Sequence, residues 1–317
     1  MRVYGPVPSR RFGLSLGIDL VPHKVCSYDC LYCQLGRTTR LEAEPQDFFP
    51  IDQVMADVRH ALATGPRPDV LTLAGSGEPT LYGSLAELNE RLRAELDIPL
   101  LLITNGGTLW HPDVDRAALR TDILAPSIDA GDERTWRRLN RPHPAVSWDQ
   151  MLRGLREVTH AHSGEVRVEV MLVRKVNDDE PSLRAIAEVL RTLRADRIDV
   201  NTPVRPSLPE RGAMPCDEQT LQLALSLFGP KAAPIGRFQR RDLEPRERPW
   251  TDTDKDVREM LLRRPCTAED IRSSLGLHAH EVAKVLDRLV QEGLIDIRPG
   301  DGGTYYHAST LGLAEVE

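Results

Sequence analysis

Three of the chain's five cysteines fall within eight residues, Cys26-Ser-Tyr-Asp-Cys30-Leu-Tyr-Cys33. Thiols spaced C-x3-C-x2-C on a short loop are able to converge on one compact centre, and soft sulfur ligands select zinc, copper(I) or iron–sulfur clusters. Structural zinc takes four protein ligands, so a zinc site here needs a remote fourth donor. A four-iron cluster held by three cysteines instead leaves one iron open, and an open coordination position is where a metal centre binds a reactant. A disulfide pair with a spare thiol is the other alternative.

A chain of 317 residues, 40% of them hydrophobic, fits a large enzymatic unit plus a smaller one, each with a buried core. The N-terminus lacks a charged-then-apolar leader, and no apolar run is long enough to span a bilayer. These features predict a cytoplasmic protein with no membrane association and with reduced cysteines. The formal charge of −7 gives no global attraction to nucleic acid.

Residues 3–13 are rich in Gly, Pro and Arg and read as an extended loop, and 14–21 alternate as a strand from whose end the cysteine loop departs. Further strands are predicted at 69–74, 99–104, 122–128, 165–173 and 196–202. Helices are predicted at 51–63, 84–96 (Ser84 as N-cap, Glu87 three residues on), 112–119, 132–139, 148–160, 181–194 and 217–228. Six strand–helix units require parallel strands with right-handed crossovers, in a doubly wound sheet or a barrel. Residues 230–250 read as a linker or covering segment. Beyond them come helical patterns at 256–264, after a Thr267/Asp270 capping box and at 280–292, then a hairpin at 294–298 and 304–307. Three helices followed by a hairpin resemble a winged helix. The domain reading is 1–229, 230–250 and 251–317.

The cysteine motif, with Tyr32 just before its last cysteine, resembles the radical S-adenosylmethionine (SAM) superfamily. This resemblance implies an α/β fold, a partial (β/α)6 barrel with reacting groups on loops at the C-terminal ends of the strands. It implies that Cys26, Cys30 and Cys33 hold a [4Fe–4S] cluster whose open iron chelates SAM. An electron from a flavodoxin- or ferredoxin-like donor then cleaves the sulfonium, and the 5′-deoxyadenosyl radical abstracts a substrate hydrogen. Carried over by position, Gly75, Gly77 and Glu78 hold the methionine end, Tyr32 packs near the adenine, and Ser127, Asp129 and Asn105 face the ribose. The competing readings are turn glycines, helix caps and Asx-turns. Arg141, Asn177, Asn201 and Arg205 are the substrate candidates, because amide and guanidinium groups suit a carboxylate or phosphate. Glu169 alternates with Val168 and Val170 and should point to the opposite strand face. Cys216 and Cys266 read as free buried thiols.

Segments 5–11, 75–81, 104–106 and 201–206 together resemble the group of the wyosine-base enzymes, which join pyruvate to a guanosine of tRNA. Those enzymes carry an additional cysteine set, absent upstream of Cys26, and their core lacks a C-terminal winged helix. The expectation is therefore a relative with a different substrate. Rival readings are a tRNA-base-modifying enzyme of the wyosine type and an iron–sulfur sensor or transcription regulator using the winged helix, and a further one is a modifier of a protein side chain. Residues 251–317 carry 8 basic and 13 acidic residues, so counterion release would contribute little to nucleic-acid affinity. A module that contacts a protein, presents a protein or RNA substrate, or dimerises is the expectation for this part.

Overall fold

A computed structural model describes residues 2–9, 11–203, 211–235, 253–300, 303–309 and 312. Its elements run β1 (Val3–Ser9), β2 (Gly13–Ile18), β3 (Val25–Cys26), β4 (Arg40–Leu41), α1 (Ile51–Thr64), β5 (Val70–Leu73), α2 (Leu85–Glu95), β6 (Leu100–Thr104), α3 (Pro112–Ala118) and β7 (Ile123–Pro126). Then follow α4 (Glu133–Leu139), α5 (Trp148–Ala161), β8 (Glu165–Met171), α6 (Glu180–Arg191), β9 (Arg197–Asn201), α7 (Glu218–Phe228) and β10 (Ala232–Pro234). The C-terminal part holds α8 (Thr253–Arg263), β11 (Cys266–Thr267), α9 (Ala268–Leu275), α10 (Ala279–Gln291), β12 (Ile295–Gly300) and β13 (Gly303–Ala308).

The main sheet has the order β1-β2-β5-β6-β7-β8-β9-β10. All neighbours from β2 to β10 are parallel, and only β1 is antiparallel. Periodicity left open a doubly wound sheet, which reverses its strand order midway. Here the order never reverses, so right-handed crossovers put every helix on one face. That face is apolar: Leu16, Leu71, Leu102, Val168 and Val200 pack in one cluster with Val58, Leu88, Leu155 and Ile186 of the helices. Strand β8 alternates cleanly, its valines buried and Glu165, Arg167, Glu169 and Met171 on the other face.

Two expectations are corrected. Residues 3–9 are a strand, not a loop. The register shifts between Tyr4 and Val7, so Gly5 and Pro6 bulge out opposite one residue of β2. An edge strand with a bulge is where a sheet accommodates proline, which has no N–H for the ladder. Residues 232–234, placed in the linker, extend the sheet as β10; 236–250 lie outside the described residues. The N-cap at Ser84 forms no side-chain bond, and its amide instead donates to Asp47. The capping box at Thr267 does form, reciprocally with Asp270.

The C-terminal part carries a three-stranded antiparallel sheet, order β11-β13-β12, against α8, α9 and α10. Its core of Val257, Leu261, Ile271, Val285 and Leu289 continues onto Val7 and Tyr4 of β1. No described helix is long and apolar enough to cross a membrane.

Candidate active site

Parallel strands put all their C-terminal ends on one edge, and every motif singled out in the sequence begins there. The cysteine loop leaves β2, Gly75–Glu78 leaves β5, Asn105 follows β6, and Ser127 to Asp129 follow β7. The three cysteines are free and half-buried, and the loop's backbone is fastened from several directions. Tyr32 donates its hydroxyl to Asp129 at 2.5 Å. Arg211, only 2% exposed, donates to the carbonyls of Asp29 (3.1 Å) and Cys30 (2.7 Å) and pairs with the Asp29 carboxylate at 2.7 Å.

Each sulfur faces one nitrogen donor from a different part of the chain. Lys24 Nζ lies 3.0 Å from Cys33 Sγ, Asn105 Nδ2 lies 3.5 Å from Cys26 Sγ, and Asn140 Nδ2 lies 3.6 Å from Cys30 Sγ. Burial pushes the Cys26 thiol up to about 12, with the Glu78 carboxylate adding to the rise. The Cys30 thiol is pushed up further, by burial and then by the charge of Cys26. Burial alone would lower Lys24, but negative charge on Cys33, Cys26 and Cys30, carried when the sulfurs are thiolates, outweighs it and raises it. A metal centre takes cysteine sulfurs as thiolates, and its binding releases their protons.

The Gly75–Glu78 turn is zipped to the segment entering Cys26: Lys24 N donates to Ser76 O (3.0 Å), and Glu78 N to Val25 O (3.0 Å). A Cβ on Gly77 would lie 2.0 Å from Val25 O, and one on Gly75 would lie 2.2 Å from Asp19. Close packing of protein on protein therefore requires glycine at both positions.

Most of the other polar residues expected at SAM already have protein partners. Glu78 is 3% exposed, and its carboxylate accepts from Thr80 N, Thr80 Oγ1, Thr104 Oγ1 and Asn105 N. These bonds, three on Oε1 and one on Oε2, buckle the ends of β5 and β6 together. Asp129, expected at a ribose, accepts from Tyr32, Asn140 and Met171 N, and burial pushes its carboxyl up to about 6. Tyr32 packs with Met171 and Leu139. Asn105, also expected at a ribose, serves Cys26 and Ser27. Ser127 is half-buried, and its hydroxyl has no hydrogen-bond partner among the described residues.

Of the substrate candidates, Asn177 is fully buried. Its amide donates to Asp129 O (2.7 Å) and Met171 O (2.8 Å) and accepts from Val173 N (2.7 Å). Replacing it with alanine leaves three buried backbone groups unpaired and should cost about 2–4 kcal/mol of stability. A lowered Tm in thermal unfolding is the expected reading, and an unchanged Tm would contradict this role. Asn201 donates to Glu169 at 3.0 Å. Glu169 does point away from Val168 and Val170, and pairs there with Arg11 at 2.5 Å, beside Asp199. Arg141 is exposed, in a left-handed conformation (φ 48°), 3.7 Å from Asp29. Arg205 lies outside the described residues. Lys24, Asn140 and Arg211 were missed by sequence reasoning. Only Lys24, two residues before Cys26, carried a positional signal.

A family model of the radical SAM superfamily matches residues 20–190, more than half of the chain. The chain belongs to the radical SAM superfamily. It is an enzyme, and the cofactors of its family are a [4Fe–4S] cluster and SAM. The donor set fits that cluster: three free thiols on one loop, each beside a nitrogen donor able to hydrogen-bond a metal-bound sulfur.

A UPF0026 protein of Methanocaldococcus jannaschii is 31% identical over 310 residues, covering 96% of this chain and 94% of the relative. A protein of Brachyspira hyodysenteriae named GTPase Obg is 32% identical over 302 residues. That match covers 93% of this chain, which spans 43% of the relative's length. No Gly-Lys pair, and so no G-x-x-x-x-G-K-[ST] phosphate loop, occurs in the 317 residues, and GTP hydrolysis is not carried over. Among solved structures, a radical SAM methyltransferase from Sphaerobacter thermophilus is similar at TM-score 0.49 and 20% identity, covering 69% of this chain and 66% of that one.

Proposed function

We propose that Cys26, Cys30 and Cys33 hold the cluster and that the Gly75–Glu78 backbone, the Tyr32 ring and the Ser127 hydroxyl line the SAM site. When bound, cluster and SAM together supply one-electron cleavage of a sulfonium and hydrogen-atom abstraction. The observation that carries this assignment is the pairing of each cysteine sulfur with its own nitrogen donor. Arg211 and the Tyr32–Asp129 bond keep the loop from closing into a disulfide, because they pin its backbone on two sides. Substrate reaches the edge from the mouth of a partial (β/α)6 barrel, near Arg141 and the polar face of Arg11, Glu169 and Asn201. A flavodoxin- or ferredoxin-like protein supplies the electron.

The radical is read as acting on a substrate different from the guanosine–pyruvate pair of the wyosine enzymes, with a tRNA base as the alternative substrate. The C-terminal unit is read as a winged helix. Its third helix, α10, exposes Lys284 and Arg288 among Glu281, Asp287 and Glu292, and Arg288 is already tied to Asp254 at 2.5 Å. Protein contact or substrate presentation therefore fits it better than DNA reading.

Anaerobic reconstitution with iron and sulfide, followed by dithionite and SAM, tests the assignment. Methionine and 5′-deoxyadenosine that depend on the three cysteines are expected. A well-formed cluster without product would favour the sensor reading, and zinc in anaerobically prepared protein would overturn the cluster assignment.

A further inference from the structure

One side chain of the C-terminal unit meets the carboxylate that follows β2. Arg263, in the last turn of α8, is largely buried, and its Nε lies 3.4 Å from Asp19 Oδ2. Its guanidinium carbon sits 4.9 Å over the Tyr4 ring, and Nη1 donates to Glu259 O at 2.8 Å. Tyr4 is itself fixed: its hydroxyl donates to Ala74 O at 3.2 Å, and its ring fills the space that a Cβ on Gly17 would need. Packing thus holds the arginine at the junction between α8, β1 and the end of β2.

Asp19 is buried directly after β2 and grips the turn that follows β5. Its Oδ1 accepts from Ser76 N at 3.0 Å, its Oδ2 accepts from Ser76 Oγ at 2.8 Å, and its carboxyl group occupies the space left by Gly75. A buried carboxylate keeps its charge only beside a cation or several donors. Burial pushes Asp19 up, and Arg263 is the largest of the influences pulling it back. Without the arginine, the carboxylate would have to pick up a proton or pull away from the turn toward water, and both weaken its hold on Ser76.

We propose that Arg263 is a positioning residue for the SAM turn: the C-terminal unit supplies the cation that holds Asp19 against Ser76 and so fixes Gly75 to Glu78. The proposal deepens the functional reading above and rests on it for the identity of the ligand. It makes the C-terminal unit part of the site's machinery, so that a partner shifting α8 would be read out at the turn.

The test uses the full chain in two states. In cluster-free protein, hydrogen–deuterium exchange of the segment 74–80 should be at least ten-fold faster in Arg263→Gln than in wild type, with Arg263→Lys in between. Amides of α10 should keep their protection. In the Asp19→Asn background, Arg263→Gln should add little, because the charge it serves is gone. In reconstituted protein, the Kd for SAM should weaken about ten-fold in Arg263→Gln while the cluster's absorption stays unchanged. Unaltered exchange at 74–80, or equal loss of protection in α10, would overturn the proposal and leave Arg263 as a fastening between units. Fast exchange at the turn with unchanged SAM affinity would instead remove SAM from the turn while leaving the mechanical link in place.

Discussion

Replacing Cys30 with alanine is expected to abolish both the visible absorption of the reconstituted cluster and reductive SAM cleavage, with 5′-deoxyadenosine falling to background. Its thiol is the middle one of three on a loop whose conformation is set independently of it, by Arg211 on the carbonyls of Asp29 and Cys30 and by Asp129 on Tyr32. The variant should therefore fold, and its defect should lie in the cluster. Two thiolates cannot hold a four-iron cluster with one open iron. Cys216→Ala is the matching control. Its thiol is buried in the α/β core just before α7, with Sγ 3.9 Å from Asp178, and cluster and turnover should survive its loss. An active Cys30→Ala protein with full absorption would sink the assignment.

Lys24→Met is expected to lower the reduction potential of the cluster. Lys24 is 3% exposed with its Nζ 3.0 Å from Cys33 Sγ, and negative charge on the three sulfurs as thiolates favours its protonated form. Reduction adds one negative charge, which a fixed cation favours, so removing the cation makes reduction harder. A unit charge about 4 Å away at an effective dielectric near 20 is worth about 4 kcal/mol. Because the added electron spreads over a cluster extending well beyond one sulfur, the expected shift is on the order of 100 mV toward negative potentials. A redox titration followed by electron paramagnetic resonance reads it. Lys24→Arg should stay close to wild type, and an unchanged or raised potential in Lys24→Met would show that the ammonium does not act on the cluster.

Only part of the site was legible beforehand, and the boundary has a physical cause. The cysteine spacing and the six strand–helix units are local patterns, carried by residue type and period, and the structure places the motifs they introduce on one edge. What each polar side chain does there depends on which loop lies opposite, and that is a tertiary fact. Glu78, Asp129, Asn105 and Asn177 have the residue types of ligand contacts, yet each is engaged by neighbouring loops. Conversely, Asn140 follows α4 and Arg211 lies near the end of the α/β part, with nothing nearby in sequence to tie them to Cys30.

The same division holds for the whole molecule. The sequence by itself determined the sulfur chemistry and the parallel strands, because ligand softness and hydrophobic period act over a few residues. The tertiary structure alone decided the direction of winding and the contact of Arg263 with Asp19, because each depends on residues far apart in the chain, and it made a strand of the proline-rich N-terminus by pairing it, with a bulge, to β2.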